Sequence, residues 1–145
     1  MSDDGSNEAR RILALCDGDG LKAFQILQTQ ITTLATRTQA ILGLSGIVIT
    51  VTGFSGRSIA LVSPIARITI VAGLLIVLAA AAVGVGGVLR LRWATQEIAD
   101  SPLATVQRLI AIRDGKSRFL HAALVMFVIG FALYCFAVAQ LLLAP

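Results

Sequence analysis

Apolar residues recur at intervals of three or four along the first third of the chain. This spacing is the a/d pattern that lets one helix pack along another, and no proline interrupts it. The series consists of Phe24, Leu27, Ile31 and Leu34 and continues through Thr38 and Ile41. We therefore predict one helix that starts near residue 21 and runs without a break into the first hydrophobic stretch.

The other faces of this helix carry polar side chains without charge: Gln25, Gln28, Thr29, Gln30, Thr32 and Thr33. A helix surrounded by water normally has charged residues on its polar face. The pattern therefore favours packing against another helix, either of the same chain or of a second copy. The alternative is a single amphipathic helix that lies on the lipid headgroups.

Three long stretches contain no Asp, Glu, Lys or Arg: residues 38–56, 68–89 and 119–145. The chain is 57% hydrophobic and 14% charged, and a helix needs about 20 apolar residues to cross the hydrocarbon core. The predicted fold class is an all-α integral membrane protein with three transmembrane helices. The spans cover about 38–56, 65–89 and 119–143, in a transmembrane domain 38–145 that follows an N-terminal helical region 1–37.

Two shorter helices are predicted outside the spans. The first covers about 7–17 and ends at Gly18. The stretch Asp17-Gly18-Asp19-Gly20 then forms a turn, because a calcium loop starting there would need Glu where the chain has Gln28. The second helix lies in the connection 90–118, begins at Ser101-Pro102 and ends near Asp114, before Gly115. Ser63-Pro64 gives the same kind of start to the second span.

The distribution of basic residues predicts the orientation. Four lie in residues 1–37, two in the first connection, six in the second connection, and none after Phe119. Basic residues near span ends stay in the cytoplasm. We therefore expect a multi-pass protein of the inner (plasma) membrane with a cytoplasmic N-terminus, a cytoplasmic helix between spans two and three, and the C-terminus outside. Contact with anionic lipid explains the excess of basic over acidic residues. The chain has no nucleic-acid-binding motif, so we expect no nucleic-acid partner.

Small residues recur at helical spacing in each span, and such faces allow helices to approach closely in lipid. The candidate helix-packing or oligomerisation residues of the spans are Gly43, Gly46 and Gly53, then Ala80, Gly84 and Gly87, and finally Gly130. They favour a homo-oligomer, or they reflect the ordinary abundance of small residues in membrane helices. Tyr134 is suited to a polar contact inside the membrane, either a hydrogen bond between helices or the lining of a pore.

The sequence contains no recognisable catalytic or metal-binding pattern. It has one histidine, two separated cysteines, no HExxH or CxxC pattern and no Gly-rich phosphate loop. We expect no enzyme activity, no cofactor and no metal ion. The three charge-free stretches, 38–56, 68–89 and 119–145, also contain none of the carboxylates and arginines on which ion-coupled transporters, proton pumps and voltage sensors depend.

The arrangement of the chain resembles that of the small bacterial transmembrane effectors of the Pycsar type. The matching stretches are Thr36-Arg37-Thr38-Gln39-Ala40 before the first span and Lys116-Ser117-Arg118-Phe119 before the last. The resemblance implies a membrane protein that is triggered by a nucleotide messenger and impairs the inner membrane after its oligomer rearranges, in antiviral defence.

Two functions are compatible with these features. The first is a homo-oligomeric inner-membrane effector or pore-like protein regulated through its cytoplasmic helices. The alternative is a non-enzymatic structural or accessory subunit that anchors a larger assembly and has a second membrane protein as its partner. Both place the protein in the lipid bilayer.

Overall fold

The computed structural model describes residues 3–60, 64–88 and 101–143, and all regular structure within these residues is helical. Three of the four helices are long and apolar enough to cross a membrane. The prediction of an all-α membrane protein with three spans is confirmed to that extent. The helices are α1 (Asp3–Leu15), α2 (Gly20–Ala60), α3 (Pro64–Gly87) and α4 (Pro102–Leu143).

The turn between α1 and α2 consists of two left-handed residues and a helix cap. Asp17 and Gly18 have φ angles of 54° and 78°, and the Gly18 N–H donates to the Leu13 carbonyl oxygen at 2.8 Å. This arrangement closes α1 in the manner of a Schellman motif. Asp19 then caps α2, because its Oδ1 accepts a hydrogen bond from the Leu21 N–H at 2.9 Å. The stretch is a turn, as predicted.

The other helix starts agree in part with the sequence prediction. α4 begins at Pro102, and the Oγ of Ser101 accepts a hydrogen bond from the Ala104 N–H at 3.2 Å. α3 begins at Pro64, while its predicted cap, residue 63, lies outside the described residues. α1 starts at Asp3 rather than at residue 7 and includes Gly5, since a single glycine costs a helix only about 1 kcal/mol.

The predicted helix end at Gly115 is wrong. α4 continues through this residue, so the expected short helix of the second connection is the first part of the helix that forms the third span. One glycine inside a helix costs only about 1 kcal/mol. Arg113, before this glycine, hydrogen-bonds to Glu8 and Gln30, and Leu120, after it, packs against buried residues of α2 and α3. These contacts favour the unbroken helix.

α2 and α4 are twice as long as a bilayer requires. They contain 41 and 42 residues, which corresponds to about 60 Å against a hydrocarbon thickness of about 30 Å. Their first halves, 20–37 and 102–118, lie with α1 in what we call the polar bundle. Their second halves pack with α3 in the apolar bundle.

The polar bundle has a hydrophobic core to which all three of its helices contribute. Leu27 is completely buried there, and Phe24 and Ile31 pack against it, while Leu34 is half-buried. The predicted a/d series therefore packs within the chain and does not form a solitary helix on the membrane surface. The buried residues are Ala9, Cys16, Ala23, Leu27, Val106, Leu109 and Ile110.

The buried positions of the apolar bundle repeat every three or four residues, apart from one interval of seven in α4 that contains the half-buried Tyr134. This repeat is typical of helices with left-handed supercoiling. They are Thr38, Ile41, Ser45 and Val48 in α2, Ala66, Ile70, Gly73, Val77, Ala80 and Gly84 in α3, and Ala123, Phe127, Gly130 and Ala137 in α4. Large apolar side chains such as Leu75, Leu78 and Val128 are exposed on the outside of this bundle. Such a surface is suited to lipid rather than to water.

Candidate helix interaction site

α3 and α4 cross at a pair of glycines. A Cβ atom at Gly73 would lie 2.9 Å from the carbonyl oxygen of Gly130, and one at Gly130 would lie 2.8 Å from the Cγ2 of Val77. Side chains do not fit at such distances, so the crossing requires glycine on both helices. Gly130 belongs to the predicted packing residues. Gly73 was missed, although the spacing from Ala66 through Ile70 leads to it.

The predicted small residues at the end of α3 also pack within the chain. Ala80 is completely buried. A Cβ atom at Gly84 would lie 3.1 Å from the methyl group of Thr38 on α2, and one at Gly87 would overlap the ring of Phe119 on α4. The small-residue face of α3 therefore already has two partners in the single chain.

The predicted glycines of α2 are not used in this packing. Gly43, Gly46 and Gly53 are exposed, and a Cβ atom added at any of them would meet nothing within 4 Å. The inner face of α2 uses polar residues instead. Ser45 is 1% exposed, and its hydroxyl donates to the Ile41 carbonyl oxygen at 2.8 Å, so burial leaves that donor paired.

The exposed glycines are part of a longer row on α2, which we call the outer stripe. Its positions recur every three or four residues, are all exposed, and contain no charged residue. The hydroxyls of its threonines donate to carbonyl oxygens four residues earlier at 2.8 to 3.1 Å, so they need no partner from lipid. The outer stripe consists of Gln25, Gln28, Thr32, Thr36, Gln39, Gly43, Gly46, Thr50 and Gly53.

Arg113 connects the three helices of the polar bundle. Its two terminal nitrogens donate to the carboxylate oxygens of Glu8 on α1 at 2.7 and 3.1 Å. It also binds Asp114 at 2.7 Å and Gln30 on α2 at 3.3 Å. The hydrogen bond to Glu8 is the main cause of the raised pKa of Arg113, which partial burial opposes and Asp114 supports. The two partners lie 105 residues apart, so no local pattern could indicate the pair.

Aromatic rings form a row along α4 in the apolar bundle. The ring centroids of Phe127 and Phe131 lie 5.9 Å apart, and those of Phe131 and Tyr134 lie 6.4 Å apart. Tyr134 is half-buried and packs against the buried residues of the apolar bundle. Its role in a hydrogen bond between helices or in a pore lining stays a prediction.

No protein-family model matches the chain, and neither the curated proteins nor the solved structures contain a match. Within the described residues, no group of three His, Cys, Asp or Glu side chains is placed to hold a metal ion.

Proposed function

We propose that this chain is a non-enzymatic membrane protein that assembles with copies of itself through the outer stripe of α2. One observation carries the proposal. The buried positions of α2 face the other helices of the chain, whereas the outer stripe is exposed although it contains the glycines best suited to close packing. In lipid, helices associate through close approach and polar contacts, because no hydrophobic effect draws them together.

The outer stripe extends through both bundles on one continuous helix. Its positions 25–36 lie in the polar bundle, where a face in water would normally carry charge, and its positions 39–53 lie in the apolar bundle. The same side of α2 is thus suited to a partner helix in both surroundings. A second copy offers an identical surface, as the symmetric interfaces of homo-oligomers require.

The continuity of α2 and α4 supports a regulatory role for the polar bundle. Each helix passes from one bundle to the other without a break. A change in the packing of α1 against α2 and α4 would therefore shift the parts of these helices that form the spans. The basic residues of 1–37 and 90–118 support a cytoplasmic polar bundle and a C-terminus outside. The similarity to Pycsar-type effectors extends the proposal to a pore-like effector that acts on the inner membrane in antiviral defence.

The variant Gly46→Leu tests the proposal. A side chain at this position meets nothing in the single chain, so the fold is retained while a helix packed on the outer stripe is pushed away. We expect wild-type protein in lipid nanodiscs to have the mass of several copies and to release dye from liposomes. The variant is expected to be monomeric and to release none. Ala132→Leu adds bulk at an exposed position of α4 and should behave like wild type.

Two results would contradict the proposal. One is a wild-type monomer in lipid that causes no leakage at any protein density. The other is a complex from native membranes that contains a second protein at fixed stoichiometry, which would instead support the accessory-subunit function.

A further inference from the structure

A recess lies between the last residues of α3 and the middle of α4. α3 ends at Gly87, whereas α4 extends from this level back to Pro102. The recess has a volume of about 750 Å³, with Gly86 and Gly87 on the α3 side and Ile112, Gly115, Lys116 and Phe119 on the α4 side.

The recess lies at the boundary between the two bundles. The charge-free stretch of α4 begins at Phe119, whose ring is next to Gly87, and Lys116 and Arg118 come directly before it. This change from basic to apolar residues marks the depth at which lipid headgroups meet the hydrocarbon core. The recess therefore opens at headgroup depth.

The lining combines one cation with small and apolar groups. Lys116 is half-buried, and none of the ion pairs formed by the described residues includes it. A Cβ atom at Gly115 or Gly86 would meet nothing within 4 Å, so both glycines leave space. The shape and charge suit a ligand with an anionic group for the ammonium and an apolar part for the Phe119 ring.

We propose that this recess binds one anionic phospholipid, whose phosphate contacts the Lys116 ammonium and whose glycerol backbone lies against Phe119 and the glycines. The unpaired cation at headgroup depth selects the negatively charged lipid. The site is separate from the outer stripe and does not depend on self-assembly. Lipid binding and oligomer formation can therefore be tested independently.

Native mass spectrometry of the full chain in mild detergent, incubated with phosphatidylglycerol or phosphatidylcholine, measures this binding. We expect each chain to retain phosphatidylglycerol in preference to phosphatidylcholine. Lys116→Gln is expected to weaken the retention of phosphatidylglycerol about fivefold. This is the loss of affinity expected when one basic side chain near an anionic headgroup is removed. Gly115→Leu should weaken it too, because it fills the recess without changing the charge. If Gly115→Leu loses helical content, Gly86→Leu fills the same recess from α3.

Arg118→Gln is the matched control, because it removes the same charge from an exposed position of the same helix. Its lipid retention should equal that of wild type. Equal losses in Lys116→Gln and Arg118→Gln would show general attraction to the surface and overturn the proposal. So would wild-type retention in the glycine variants, which would mean that something other than lipid occupies the recess. Displacement of the lipid by inorganic phosphate would assign the site to a soluble anion instead.

Discussion

Arg113 holds α1 in place by a geometry that only a guanidinium provides. Two of its nitrogens bind both carboxylate oxygens of Glu8, which a lysine ammonium could not do in the same way. α1 has 13 residues, and an isolated helix of this length is only marginally stable in water. The attachment of α1 therefore depends on this ion pair and on the hydrophobic core beneath it.

Loss of the ion pair is expected to loosen α1. We predict that Arg113→Gln lowers the free energy of local opening of α1 by about 1 kcal/mol. This value is the upper end of the range of stabilisation that surface ion pairs provide. Hydrogen exchange of the α1 amides in Arg113→Gln, Glu8→Gln and the double variant measures the coupling. Arg108→Gln, at an exposed position of α4, serves as the control. Additive effects of the two substitutions would show that the pair contributes nothing.

The pKa of Arg113 determines how this stabilisation depends on pH. A cation whose pKa is raised by folding stabilises the fold at every pH below its ordinary pKa, and the contribution is lost only as the pH rises through the folded value. Both values lie far above neutrality for an arginine. The guanidinium therefore adds no pH dependence to the attachment of α1 in the physiological range.

Individual residues show where reasoning from the sequence reached its limit. The structure places Gly84 and Gly130, two of the small residues selected by their spacing, in close contacts between helices. The same reasoning could not separate the two faces of α2, because both repeat every three or four residues. The structure buries Thr38 and Ser45, whose hydroxyls bond to their own helix, and leaves the glycines outside. Which face of α2 is buried depends on the positions of the neighbouring helices.

At the level of whole helices, the continuous a/d pattern was the more reliable guide. It predicted the uninterrupted α2, whose series from Leu27 to Ile41 contains no proline or glycine. In α4, inward-facing positions lie on both sides of Gly115, where the sequence predicts a helix end. Packing along two neighbours outweighs the intrinsic cost of one glycine, and this contribution is not visible in a local sequence.

The core of the polar bundle gives a prediction at this level. Leu27→Asp places an unpaired carboxylate in a completely buried position, which should cost several kcal/mol. We expect the polar bundle to become sensitive to limited proteolysis, while the spans, which keep their own backbone hydrogen bonds, still insert. Thr33→Asp, exposed on the same helix and outside the outer stripe, should remain resistant. Equal resistance of both variants would show that the polar bundle does not depend on this core.

At the scale of the whole molecule, the described residues form two bundles that are held together by different physical effects. The polar bundle depends on a hydrophobic core and an ion pair, whereas the apolar bundle depends on close packing of glycine and alanine. α2 and α4 run through both and connect them mechanically. On the exterior, the outer stripe spans both bundles without a charge and contains the glycines that allow close approach, and this makes it the expected interface between copies.

Cysteine crosslinking along α2 tests this interface most directly. Single cysteines are placed at each of positions 41–53 in the full chain, after replacement of the free cysteines Cys16 and Cys135 by alanine, and are oxidised in lipid. We predict strong crosslinks between copies at Gly43, Gly46 and Thr50 and weak ones at the buried positions between them. Crosslinks without this spacing of three and four, or none at the outer stripe, would contradict assembly through α2.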